Sequence, residues 1–273
     1  MEHNTQAYNN FITVVNEYYR ASGRQMPWRK PEPGGDFDPY KIMVSEIMLQ
    51  QTQVDRVVPK YQEFLQQFPT VGGLAAAPLA QVLTLWSGLG YNRRAKFLWQ
   101  AAQMAVTEFN GVMPSTVEEL QKLPGIGKNT AGAIVAYAYN RPVVFIETNI
   151  RTVYIHHFFD DQPEIGDKAI EELVAATQPK HEVREWYWAL MDYGSYLKKR
   201  VGNKSRQSKH YARQSTFQGS KRQLRGAILR LLVAGNQPLE RLQHELSDDR
   251  LIEVLEALTS EGMVHYDNGR YRL

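Results

Sequence analysis

Helical periodicity governs the first 197 residues. Apolar side chains recur three or four positions apart in NFITVVNEYY, YKIMVSEIMLQQ, RVVPKYQEFLQQF, LAQVLTLW, AKFLWQAAQMAVTEF, TVEELQKL, TAGAIVAYAY, KAIEELVAAT and EWYWALMDYGSYL, the spacing that turns one face of a helix into a core. Breaks fall at Pro69, at Gly72 and Gly73, at Pro78, at Gly88 and Gly90, at Pro114 and in LPGIG at 123–127. PVVFIET, after Arg141, has the composition of a strand, but its isolation among helices favours a buried connection. A mainly helical chain is expected, with a core large enough for one or two domains.

The sequence contains no cysteine, which excludes disulfides, thiolate catalysis and any cysteine-held zinc or iron–sulfur centre. No apolar run reaches membrane-spanning length, and MEHNTQAYNN at the start lacks a signal-peptide core. A cytoplasmic protein without membrane partners is expected. The net charge is only +3, but no acidic residue lies between Asp192 and Glu240, while Lys198, Lys199, Arg200, Lys204, Arg206, Lys209, Arg213, Lys221, Arg222, Arg225 and Arg230 do. A stretch of one sign suits a polyanion such as DNA; a solvated linker has the same composition.

Residues 198–219 are polar, basic and poor in apolar periodicity, so they read as a linker or exposed arm between a domain at 1–197 and another at 220–273. KRQLRGAILRLLVAG, PLERLQHEL and DDRLIEVLEALTSEG read as three short helices, and MVHYDNGRYRL as a hairpin turning at Asn268 and Gly269. Three helices and a hairpin resemble a winged-helix module, with Arg270 and Arg272 on the wing. Such a module serves DNA or protein contacts alike.

Three segments carry chemistry. In LPGIGKNTAG, Pro124 fixes one backbone angle, while Gly125 and Gly127 permit positive φ and close approach. The helix start that follows offers free N–H groups to an anion, although an ordinary turn between helices would look similar. In MVSEIMLQQTQV, Glu46 stands among Ile42, Met43, Ile47, Met48 and Leu49. Drawn inside, its pKa would rise and the neutral carboxyl could donate a proton; on periodicity alone it can equally face solvent beside Gln50 and Gln53. In FIETNIRTV, Glu147 precedes a helix start with Thr148 and Asn149 as capping candidates. It is either a dipole-favoured acid or a carboxylate held near developing positive charge. Two carboxylates in different environments can divide acid and stabiliser roles.

The ordered set MPWRK, DPYKIMVSEIMLQQTQV, LWSGLGYNRRAKFL, LPGIGKNTAGAI, FIETNIRTV and ALMDYG resembles the helix–hairpin–helix (HhH-GPD) DNA glycosylases, and among them most the MutY adenine glycosylases. The resemblance covers residues 8–197. It implies a mainly α, two-lobed helix–hairpin–helix glycosylase fold, here followed by the small winged-helix-like domain. It implies a hydrolase of base excision repair that flips a base out of duplex DNA and cuts its N-glycosidic bond. By that resemblance Glu46 protonates the leaving adenine, Glu147 stabilises the sugar cation and helps water attack, and Asn149 supports the site. Gln51 and Tyr91 wedge into the duplex. Trp28 and Arg29 lie near the flipped base, with Asn129 and Trp188 also in the pocket. Gly125, Gly127, Lys128, Thr130 and Arg94 meet the DNA backbone, joined by Lys198, Lys199 and Arg200, and an alkali cation accompanies DNA at the hairpin. No metal or other cofactor is expected, and the protein is expected as a nucleoid-associated monomer.

The chain also departs from that pattern. Bifunctional relatives carry a nucleophilic lysine two residues after the hairpin's last glycine; Asn129 stands there and cannot form a Schiff base. Lys128, one residue earlier, points about 100° away around the helix. A monofunctional enzyme with little lyase activity is expected. Glu147 replaces an aspartate, its carboxylate displaced by about 1.5 Å, one C–C bond. Residues 198–213 occupy the place of the cluster-binding cysteines, and the C-terminal module stands where MutY has a Nudix-like domain that helps recognise 8-oxoguanine. The reading is adenine opposite 8-oxoguanine or guanine. Removal of thymine or uracil opposite guanine, and a non-catalytic DNA-structure binder, remain as alternatives.

Overall fold

Apolar periodicity becomes helix almost throughout. The computed structural model describes residues 2–159, 162–211, 213 and 216–273; Ala212, Gln214 and Ser215 of the expected arm lie outside them. The helices are α1 (Glu2–Ser22), α2 (Pro39–Leu49), α3 (Val54–Gln67), α4 (Val71–Ala76), α5 (Leu79–Trp86), α6 (Arg93–Phe109), α7 (Val117–Leu120), α8 (Lys128–Tyr139), α9 (Thr148–Phe158), α10 (Asp167–Thr177), α11 (Val183–Arg200), α12 (Lys221–Val233), α13 (Leu239–Leu246) and α14 (Leu251–Ser260). Strands β1 (Gln237–Pro238), β2 (His265–Asp267) and β3 (Arg270–Arg272) form one antiparallel sheet in the order β1-β3-β2.

The chain divides into two units, each gathered from separate stretches. One comprises residues 1–43, 115–122 and 126–213; the other comprises 44–114, 123–125 and 214–273. The division falls inside α2 and again inside the LPGIG hairpin.

In the first unit α1, α8, α9, α10 and α11 pack together. Phe11 of α1 meets Tyr154 and Phe158 of α9 and Trp186 of α11 at ring separations of 5.1, 5.0 and 5.9 Å. PVVFIET forms no strand. Phe145 and Ile146 are buried in an irregular connection, and Phe145 lies against Gly132 of α8, where an added Cβ would come within 2.8 Å of the Phe145 Cβ.

In the second unit α3 to α6 surround Trp86, Phe64, Leu74 and Leu98, all fully buried; each such side chain contributes about 1.5–3 kcal/mol. Gly72 and Gly73, expected as a break, lie within α4. Thr70 caps that helix, its hydroxyl accepting from the Gly73 N–H at 3.1 Å, and a good cap offsets the glycines' poor propensity. The same unit holds α12, α13 and α14 and the sheet. Asn268 and Gly269 turn the β2–β3 hairpin with φ of +49° and +77°, as an Asn-Gly turn requires. The two-residue β1 is too short to carry a sequence period.

Candidate functional site

The candidate acid sits on α2. Asp38 starts that helix by accepting the Tyr40 N–H at 2.8 Å, with Pro39 in the first turn. Ile42, Met43, Val44, Ile47 and Met48 are all buried, and Glu46 with them at 9% exposure. The solvent-facing alternative for Glu46 is thereby excluded.

Helix α2 ends in carbonyls without intrahelical donors, and Arg94 satisfies them. Its Nη1 donates to the carbonyls of Ile47 at 2.7 Å, Met48 at 3.0 Å and Gln50. Its Nη2 donates to Thr52 Oγ1 at 3.0 Å and to the carbonyls of Gly90 at 3.1 Å and Leu89 at 3.3 Å. Burial lowers its pKa to about 10, so the guanidinium remains a cation at neutral pH. The expectation that Arg94 meets the DNA backbone is corrected: its hydrogen-bonding capacity is turned inward. The guanidinium ties the end of α2 to the loop before α6, and those two segments carry Gln51 and Tyr91. Both have left-handed backbones, φ +57° and +48°, an uncommon and strained state for such residues that persists only where surroundings enforce it.

The hairpin uses its glycines unequally. Gly125 has φ +78°, and a Cβ there would come within 2.7 Å of the Phe97 Cβ. Gly127 has φ −88° and needs no left-handed freedom; nothing lies within 4 Å of a Cβ built on it, so it leaves open space at the start of α8. Lys128 pairs with Glu171 at 2.7 Å, both well exposed, an interaction worth about 0–1 kcal/mol and readily exchanged. Thr130 is half-buried in the first turn. Asn129 is spent on structure: its Nδ2 donates to the Ile146 carbonyl at 2.9 Å and its Oδ1 accepts the Ile146 N–H at 3.3 Å. It thus fixes the residue preceding Glu147.

Glu147 is itself the N-cap of α9, with no side-chain capping bond; Thr148 and Asn149 are first-turn residues and not the cap. Burial raises its carboxyl pKa, and the Lys198 ammonium opposes that rise. Lys198 lies one helical turn beyond Gly194 on α11, and a Cβ on Gly194 would collide with the Asn149 carbonyl. That glycine permits α11 to approach α9 closely. Lys198 Nζ donates to Asn149 Oδ1 at 2.6 Å, and burial lowers its pKa to about 8. Lys198 was expected on the DNA backbone; the structure places it beside the second carboxylate. Gly194 within a helical pattern was the available signal of a close crossing.

The stretch expected as an arm is folded at its start. Lys198, Lys199 and Arg200 form the last turn of α11. Asn203 Oδ1 then accepts from Ser205 N and Oγ at 3.2 and 2.6 Å and from Thr152 Oγ1 at 3.4 Å. Ser205 and Ser208 are buried, and Ile165 donates its N–H to the Gln207 carbonyl at 2.9 Å and accepts the Lys209 N–H at 3.1 Å. Hydrogen bonds anchor it without apolar periodicity. Its amines and hydroxyls do not fit an iron–sulfur cluster, which thiolates hold.

Two expected pocket residues, Arg29 and Trp188, have side chains buried and packed within the first unit. Arg29 donates both Nη groups to Asp192, at 2.8 and 2.9 Å. Burial alone would raise the Asp192 carboxyl, but bonds from Arg29 and Arg24 outweigh it and hold the pKa below the usual range. Trp188 is 6% exposed and stacks on Tyr137 at 6.0 Å, near Phe37 at 5.6 Å. Trp28 is buried in a 3-10 turn, Pro27–Arg29.

The HhH-GPD superfamily base excision DNA repair protein family matches residues 44–178. The adenine DNA glycosylase of Mycolicibacterium smegmatis is 32% identical, over 94% of this chain and 93% of that protein. That of Buchnera aphidicola subsp. Baizongia pistaciae is 38% identical over 68% of this chain, a match spanning 52% of its own length. A thermostable thymine-DNA glycosylase structure shares the fold with TM-score 0.63 at 22% identity, covering 76% of this chain and 98% of that one. A trapped endonuclease III–DNA covalent intermediate does so with TM-score 0.58 at 19% identity, covering 70% and 86%. The chain belongs to the adenine DNA glycosylases of the HhH-GPD superfamily.

Proposed function

We propose that this protein is a monofunctional DNA glycosylase of base excision repair that hydrolyses the N-glycosidic bond of adenine mispaired with 8-oxoguanine or guanine in double-stranded DNA. Its kinship with proteins named adenine DNA glycosylase supports the substrate. The observation that carries the reaction is the burial of Glu46: a protein that only bound DNA would have no use for a costly acid within an apolar helix.

In this reading the flipped adenine takes a proton from Glu46 at a ring nitrogen and leaves as a neutral base. The sugar becomes an oxocarbenium ion, which the ionised Glu147 stabilises. Water adds to C1′, and the proton it sheds restores the acid. Asn129 offers no amine for a Schiff base, so strand cleavage awaits alkali or another enzyme. Gly125, Gly127, Lys128 and Thr130 receive a DNA phosphate, with an alkali cation at the hairpin, and Gln51 and Tyr91 enter the duplex. The protein acts as a cytoplasmic, nucleoid-associated monomer without an iron–sulfur cluster.

The test is a panel of duplexes carrying A opposite 8-oxoguanine, A opposite G, T opposite G and U opposite G. Base release confined to the adenine duplexes, with strand breaks only after alkali, is the expected result. Release of thymine or uracil alone would replace the substrate, and no release from any duplex would remove the enzymatic reading.

A further inference from the structure

The unit containing the C-terminal helices also holds a cavity of about 710 Å³ between α12 and the loop joining α5 to α6. That is well within the range of about 300–1,000 Å³ typical of small-ligand sites. Its apolar lining comes from Leu83, Leu89, Leu229 and Val233. Arg56, Arg222, Arg225 and Arg230 supply charge, and no acidic residue among the described residues lines it. Arg225 pairs with Glu261 at 3.0 and 2.5 Å, a carboxylate it shares with Arg93. Arg56 and Arg230 are exposed and make no ion pair among the described residues. The Arg222 guanidinium carbon lies 4.8 Å from the Tyr91 ring centre and 5.5 Å from that of Phe217, and its Nη1 donates to the Tyr91 hydroxyl. Phe217 is 54% exposed, a large aromatic surface left in water. Gln51 and Asn92 add amides at the rim.

Cations at the edge, an exposed ring, apolar walls and a few amides match one chemistry: a planar, hydrogen-bonding base joined to an anionic phosphate. A simple anion would make no use of the ring or the walls, and an apolar ligand would make none of the arginines. We infer that this cavity holds one unpaired nucleotide of bound DNA, its base against Phe217 and the apolar wall and its phosphate on Arg56 and Arg230. The inference rests on the reading that the chain binds DNA, and it gives α12 a part in reading the strand. It needs no catalysis.

Gly226 provides the decisive variant. It lies on α12 in the cavity lining, and a Cβ there would meet nothing within 4 Å among the described residues. Gly226→Leu fills the space, leaves every charge in place and favours the helix. Binding of the full-length protein is measured by anisotropy on a paired duplex and on the same duplex with a one-nucleotide bulge, neither containing a base to be excised. The native protein should prefer the bulge by about tenfold, the size of one stacked base. Gly226→Leu and the independent Phe217→Ala should each cut that preference to about twofold or less, with paired-duplex binding nearly unchanged. Equal affinity of the native protein for both duplexes, or full preference retained in Gly226→Leu, would overturn the inference. Base release is read separately. A preference that depends on Gly226 in a protein that releases no base would sustain this site and sink the catalytic reading; normal release without such a preference would do the reverse.

Discussion

Glu46 and Glu147 are secluded by different means. Glu46 is carried inward by a helix whose own neighbours are apolar and whose end is held by Arg94. Glu147 sits at a helix start, where burial pushes its pKa up and an ammonium on α11 pulls it down. The first setting suits a group that must hold a proton until a leaving base takes it; at the second the carboxyl pKa stays raised on balance, and the Lys198 ammonium is what draws it back toward the ionised form that developing positive charge requires. The lesson lies in the supports. Arg94 secures the end of one acid's helix and Lys198 faces the other acid, yet the sequence presents both as ordinary basic residues available to DNA.

The largest effect on the fold should come from Arg94→Met. It leaves several carbonyls at the end of α2 without donors, which should cost about 3 kcal/mol. A fall in Tm of about 6–12 °C in thermal denaturation would match that cost. An unchanged Tm would mean that Glu46 needs no such support. Next is Glu147→Gln, which keeps the shape and removes the charge. Base release should slow by about a hundredfold, as when one preorganised electrostatic contact is lost. A loss confined to KM would place Glu147 in binding.

Lys198→Met should be the mildest, with about a threefold loss near neutrality, the size of a partly exposed ion pair. Its signature is the pH profile. Lys198 lowers the Glu147 pKa, so its removal raises that pKa, and the acid limb of the rate should move to higher pH. Stability has its own sign. Lys198 titrates at 10.5 unperturbed and at about 8 in the fold. The unfolded chain thus binds more protons between those values, and the native protein gains stability as pH rises from about 8 to 10.5. Lys198→Met should lack that gain in denaturant titrations at pH 8 and 10.

Much of this was legible beforehand. Period alone located most helices, and Asn268 with Gly269 located the terminal turn. The apolar run around Glu46 was visible, but whether the acid faced in or out depended on packing partners distant in sequence. The same limit explains Arg29, whose partner Asp192 is 163 residues away, and Trp188, whose neighbours come from residues 37 and 137. Residues 203–208 escaped because Asn203, Ser205 and Ser208 anchor them through hydrogen bonds, which leave no hydrophobic period to find. Two glycines in LPGIG look alike in sequence, but only Gly125 takes positive φ, at +78°, while Gly127 is at −88°.

The central claim is that Glu46 delivers the proton that frees the base. Single-turnover release of adenine opposite 8-oxoguanine by Glu46→Gln tests it most directly, with duplex affinity measured alongside. Release about a thousandfold slower with affinity within about threefold is the predicted result, the scale of a lost general acid. Release at the native rate would show that the proton comes from elsewhere.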